Sequence, residues 1–120
     1  MPSTEGTAAA SQAKLSTHIL DTVTGEPARD VYVRLERRDS AGWQLIADGR
    51  TDGDGRLSHR VPLHDWQAGG YRFVFYVEPY LGGGAFFPEI TVAFHVHDPE
   101  RHYHVPLLLS RFGYTTYRGS

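Results

Sequence analysis

The stretch Tyr71-Arg72-Phe73-Val74-Phe75-Tyr76-Val77 puts Tyr71, Phe73, Phe75 and Val77 at every second position. A period of two is that of a β-strand, whose successive side chains point to opposite faces, and aromatic and β-branched residues suit that surface. The same alternation spreads in both directions. Downstream, Ile90, Val92, Phe94 and Val96 form an apolar face opposite Thr91, Ala93, His95 and His97. Upstream, Val31, Val33 and Leu35 alternate with Tyr32, Arg34 and Glu36. After the turn at Asp39-Ser40-Ala41-Gly42, the positions Trp43, Leu45 and Ala47 continue the pattern. Leu15 to Leu20 predicts an opening strand. A last hairpin is predicted from about Tyr103 to Leu109, turning near Gly113 and finishing at Tyr117.

One short helix is predicted around Glu78 to Leu81, ended by Gly82-Gly83-Gly84 because glycine is entropically costly in a helix. About seven or eight short strands separated by Gly and Pro signals predict an all-β fold, a two-sheet antiparallel sandwich with one short helix. The 120 residues, 40% hydrophobic and 22% charged, suit a single folded unit rather than a disordered chain. Residues 1–14 are small and polar and are expected to form a loose tail, leaving 15–120 as the domain. That tail lacks the basic start and apolar stretch of a secretion signal. No apolar run approaches the ~20 residues of a membrane span, and the expectation is a cytoplasmic protein without a membrane partner.

The formal charge is -2, from 12 basic and 14 acidic side chains. Nucleic-acid binding would need a clustered basic face, so no such partner is expected. Arg34, Arg37 and Arg38, interrupted by Glu36, read as a solvated strand face. The chain has no cysteine, which excludes thiolate nucleophiles, thiolate metal sites and disulfides. Asp52-Gly53-Asp54-Gly55 invites comparison with a calcium loop, but Arg56 and Leu63 stand where that loop needs carboxylates. It reads instead as a tight turn. Four of the seven histidines, His95, His97, His102 and His104, fall in one stretch of ten residues. Residues two apart on a strand share a face, so each pair could offer two imidazoles to a metal; the plainer reading is a polar sheet face or interface. With neither a Gly-x-Ser-x-Gly elbow nor a phosphate loop, general acid–base chemistry on a small molecule is the natural enzymatic class.

Three segments together carry a family likeness. They are Leu15-Ser16-Thr17-His18-Ile19-Leu20-Asp21 with Thr24-Gly25-Glu26-Pro27-Ala28, then Thr51-Asp52-Gly53-Asp54-Gly55-Arg56, and finally Phe86-Phe87-Pro88-Glu89-Ile90 through His102-Tyr103-His104-Val105-Pro106 to the terminal Tyr117-Arg118-Gly119-Ser120. In this order they resemble the 5-hydroxyisourate hydrolases, enzymatic relatives of the hormone carrier transthyretin. The resemblance covers Leu15 to Ser120. It implies a transthyretin-like sandwich of two four-stranded sheets, a homotetramer built as a dimer of dimers, and active sites in the channel where dimers meet.

The reaction implied is hydrolysis of 5-hydroxyisourate, a cyclic amide, to 2-oxo-4-hydroxy-4-carboxy-5-ureidoimidazoline. The resemblance implies neither a metal nor an organic cofactor. Carried over by motif, His18, Arg56, His104 and Ser120 are the catalytic candidates, with His18, Arg56 and Tyr117 as substrate-binding candidates. Water activation falls to His104 assisted by His18, charge stabilisation to Arg56, and orientation to Tyr117 and Ser120, whose terminal carboxylate is available to position an imidazole. His59, His64, His95, His97 and His102 are expected to be structural or superficial. The rival readings are a non-catalytic transthyretin-like carrier of small aromatic ligands and, more remotely, a histidine-rich metal-binding sandwich.

Overall fold

The computed structural model describes residues 14–59, 61 and 65–120. Apart from Lys14, the expected tail lies outside the described residues. The strands, in chain order, are β1 (Leu15–Asp21), β2 (Glu26–Pro27), β3 (Tyr32–Asp39), β4 (Gly42–Arg50), β5 (Arg56–His59), β6 (Gly69–Tyr76), β7 (Glu89–Val96), β8 (Tyr103–Leu109) and β9 (Tyr114–Thr116). The one described helix, α1 (Glu78–Leu81), follows β6 and stops at Gly82, whose φ of 73° closes the turn in the left-handed region. Tyr80 on α1 donates to Asp21 Oδ2 at 2.8 Å, pinning the helix to the end of β1.

The strands form two sheets. One has the order β2-β1-β8-β9, with β5 also paired to β1; the other runs β4-β3-β6-β7. The predicted sandwich is therefore present, with short β2 and β5 enlarging one sheet beyond four strands. Its pairings are antiparallel except for one: β1 and β8 run parallel, from Leu15 beside Tyr103 to Asp21 beside Leu109. A period-two pattern fixes which face is buried and carries no information about the direction of the neighbour.

The core fills the space between the sheets. Leu15 and Ile19 of β1, and Leu107 and Leu109 of β8, meet Val33, Leu35, Tyr71, Phe73 and Phe75 of the facing sheet, all at most 1% exposed. Each such side chain contributes about 1.5–3 kcal/mol by leaving water. On β4 the expected Trp43, Leu45, Ala47 face is not continuous. The register slips between Leu35 and Glu36, so Leu35 opposes Ala47 and Glu36 opposes Leu45. The extra residue turns Leu45 outward, 48% exposed, while Ile46 and Ala47 pack against the core. Trp43 lies under the Arg72 guanidinium, 4.3 Å from its ring centre. The arginine-rich strand β3 is only partly solvated: Glu36 is buried and receives Arg72 Nε at 2.7 Å and Arg34 Nε at 3.1 Å.

Candidate active site

The candidate residues are set out by the strand pairings of the first sheet. Along β1, Leu15, Thr17, Ile19 and Asp21 are buried while Ser16, His18 and Leu20 face outward. Antiparallel β5 puts Arg56 opposite His18 and Ser58 opposite Ser16. Parallel β8, on the other side, puts His104 level with Ser16 and Pro106 level with His18. Partners across a ladder share a face. Arg56, His18, Ser16 and His104 therefore present their side chains on one outer surface.

Arg56 owes its position to the turn before it. Asp52 Oδ1 accepts from the backbone N–H groups of Asp54 at 2.8 Å and Arg56 at 3.0 Å. Those donors, followed by the charges of Arg56 and His18, hold the Asp52 carboxyl below the usual carboxylate range. Gly55 has φ 74°, and a Cβ there would lie 2.5 Å from the Ile19 carbonyl oxygen. Only glycine lets this turn press against β1 and start β5 where Arg56 meets His18.

The C-terminal segment forms the far wall. β9 pairs with β8 through Leu107–Leu109, Thr116 donates to the Pro106 carbonyl at 2.7 Å, and Gly119 N–H donates to the His104 carbonyl at 2.8 Å. A Cβ at Gly119 would stand 2.6 Å from His104 Cδ2, so this backbone lies directly against the imidazole. The Arg118 guanidinium sits 4.5 Å from the centre of the Tyr103 ring and anchors the strip from its other side. The result is a concavity of ≈ 320 Å³ walled by His18, His104, Tyr117 and Ser120. An adjoining recess of ≈ 180 Å³ is lined by Ser16, Arg56, Ser58 and His102, and shares His104 and Ser120 with the first.

His104 is the half-buried titratable group at the junction of the two recesses. Burial lowers its pKa, the charges of His102, His18 and Arg56 lower it further, and the Ser16 backbone opposes the shift. At neutral pH the ring is therefore uncharged, with a lone pair available to take a proton. Its Nδ1 lies 2.8 Å from Ser16 Oγ, which in turn lies 3.3 Å from His102 Nε2. A neutral imidazole next to a permanently charged, exposed guanidinium suits proton abstraction from water beside a developing oxyanion.

His18, Arg56, His104, Tyr117 and Ser120 are thus gathered on one wall. Ser16 and His102 join them, Ser16 being a motif residue without an assigned role and His102 one expected to be structural or superficial. The signal was present: Ser16 precedes His18 by two, His102 precedes His104 by two, and such neighbours face the same way on a strand. His59 is instead a core residue, 3% exposed and 5.6 Å from Phe73 between ring centres. His95 on β7 stacks at 5.0 Å on His97, just past the end of that strand, and His64 lies outside the described residues. Among the described residues no group of three or more His, Asp or Glu is arranged to hold a metal ion. No described helix is long and apolar enough to cross a membrane.

Comparison with known proteins adds similarities in sequence and in structure. Residues 15–119 match the family model described as HIUase/Transthyretin family. The chain is 48% identical over 109 residues to the 5-hydroxyisourate hydrolase of Salmonella typhimurium, covering 88% of this chain and 80% of that one. Among solved structures it is similar to sea bream transthyretin in complex with thyroxine, with a TM-score of 0.81 and 35% identity over 88% of this chain and 94% of that one. It is also similar to the 5-hydroxyisourate hydrolase of Klebsiella pneumoniae, with a TM-score of 0.75 and 33% identity over 88% of this chain and 97% of that one.

Proposed function

The chain belongs to the HIUase/Transthyretin family, and we propose that it is a hydrolase of that family, opening the cyclic amide of 5-hydroxyisourate to give 2-oxo-4-hydroxy-4-carboxy-5-ureidoimidazoline. The observation that carries this reading is the packing of Gly119 against His104, which brings an uncharged imidazole, His18 and the terminal Ser120 into one concavity beside Arg56. A carrier of aromatic ligands needs an apolar slot and has no use for a proton acceptor beside a fixed cation.

In this mechanism His104 takes a proton from water as the oxygen attacks a ring carbonyl carbon. Arg56 stabilises the negative charge that develops on the carbonyl oxygen. The C–N bond then breaks, and the departing nitrogen receives the proton that left the water. His18 lines the same concavity from the neighbouring strand and binds the substrate, while Tyr117 and Ser120 orient it from the tail. No step calls for a metal or organic cofactor.

We place the working site within a homotetramer. The wall described above is open on one side, and Phe112, Tyr114 and Tyr117 around β9 are 75%, 41% and 55% exposed. Large apolar groups left in water next to a site favour burial against another subunit. Steady-state kinetics test the chemical assignments. His104→Ala should lower kcat by about 10²- to 10⁴-fold, the range of general acid–base catalysis. Arg56→Ala should lower kcat/KM through both constants. Unchanged rates in folded variants would remove either residue from the mechanism. The carrier reading is favoured by the similarity to the thyroxine-bound transthyretin. It requires saturable binding of an aromatic ligand with no turnover of 5-hydroxyisourate.

A further inference from the structure

We propose that Ser16 and His102 form a proton relay behind His104, setting its tautomer and carrying its charge out of the site during turnover. The inference deepens the hydrolase reading and rests on it. It stands on an alignment of three side chains: His104 Nδ1 is 2.8 Å from Ser16 Oγ, and Ser16 Oγ is 3.3 Å from His102 Nε2. The pairing of β1 with β8 imposes this, because Ser16 is the register partner of His104 and His102 stands two residues before it.

A hydroxyl has one proton to give. If Ser16 donates to His102 Nε2, it accepts from His104 Nδ1–H, and His104 then presents a bare Nε2 as a base. The reverse arrangement puts the proton of His104 on Nε2. The first state is the one that attack requires. Water loses a proton to His104 Nε2 as its oxygen bonds to the carbonyl carbon. The Nδ1 proton passes to Ser16 Oγ, and the Ser16 hydroxyl proton passes to His102 Nε2. The positive charge now rests on His102, an exposed residue, and His104 is neutral with its proton on Nε2. As the C–N bond breaks, His102 returns its proton through Ser16 to His104 Nδ1 while the Nε2 proton goes to the departing nitrogen, so His104 stays neutral and the starting state is restored.

The charge has a physical reason to move. His104 is half-buried and faces His18 from β1, Arg56 from β5, the nearby His102, and the terminal residue Ser120. Burial, together with the neighbouring His102, His18 and Arg56, opposes an imidazolium at that position. The solvent-facing ring of His102 hydrates the same charge at lower cost. Ser16 and His102 act through His104 and are positioning residues here.

The test uses the whole chain with Ser16→Ala, Ser16→Thr and His102→Gln variants. Ring-nitrogen NMR of the substrate-free protein should show His104 carrying its proton on Nδ1, and Ser16→Ala should lose that preference. With 5-hydroxyisourate, Ser16→Ala should lower kcat about 10-fold with KM little changed. Ser16→Thr, which keeps the hydroxyl, should recover kcat. His102→Gln, which keeps a hydrogen-bonding partner but cannot carry charge, should lower kcat while preserving the tautomer. Rates in mixtures of light and heavy water should curve for the wild type, as expected for several protons in motion, and become linear in Ser16→Ala. An active wild type whose tautomer and kcat survive Ser16→Ala would overturn the relay alone. A folded wild type that does not turn over 5-hydroxyisourate would overturn the hydrolase reading and the relay's catalytic use with it.

Discussion

At the residue scale, two positions decide more than their size suggests. Gly119 lies so close to His104 that a methyl group would meet Cδ2 at 2.6 Å and Pro106 Cγ at 3.2 Å. Gly119→Ala must displace either the tail or the imidazole. A displacement of about 1 Å at a reacting group can cost ~100-fold. The expected outcome is a loss of kcat of that order with an unchanged melting temperature, because Gly119 lies outside the core; equal activity would show that the contact is not functional. His59 is the opposite case, a titratable group within the core. Burial pushes its pKa down to about 4, with a small opposing pull from Asp48. Its folded pKa lies below its unfolded value near 6.5, so the stabilisation is complete above pH 6.5 and is lost as pH falls toward 4. The window of about two and a half units corresponds to about 3 kcal/mol. Urea unfolding midpoints of the wild type should fall through this range, and His59→Leu should remove that component of the decline. Parallel pH profiles for the two proteins would contradict the assignment.

At the scale of elements, the C-terminal strip is attached through β9, the Thr116 hydroxyl and the Gly119 amide rather than through the core. Deleting Tyr117 to Ser120 should abolish activity while leaving the circular-dichroism spectrum and unfolding cooperativity intact. Full activity in the truncated protein would contradict the role given to the tail. This scale also shows what could be read from the sequence. Alternation in β1, β3, β6 and β7 exposed the sandwich because each turns its alternate apolar residues to the core. The bulge in β3–β4 was invisible, since Trp43, Leu45 and Ala47 alternate correctly and only the slip between Leu35 and Glu36 turns Leu45 outward. The two-residue strand β2 carries too little pattern to detect. The direction of β8 against β1 depends on tertiary pairing, which periodicity does not encode. The motif residues were legible through family likeness. Spacing alone puts His102 on the face of His104, but the link between them through Ser16 became visible only with the register of β1 and β8.

At the scale of the whole molecule, the sandwich gathers groups that the chain keeps far apart. The β1, β5 and β8 pairings bring Ser16, His18, Arg56, His102 and His104 to one outer surface, and the C-terminal segment closes it. The apolar groups around β9 remain in water in the single chain, and light scattering of the purified protein should return the mass of a tetramer. A stable monomer with full activity would show that one chain's wall suffices. Whether this wall hydrolyses 5-hydroxyisourate is decided by following that compound itself. 5-Hydroxyisourate, generated from urate by urate oxidase, decays unaided and can be followed by ultraviolet absorbance. The hydrolase assignment requires that added protein accelerate this decay in proportion to its concentration, and that His104→Ala at equal concentration not do so. No acceleration by the folded wild type, or equal acceleration by His104→Ala, would contradict it.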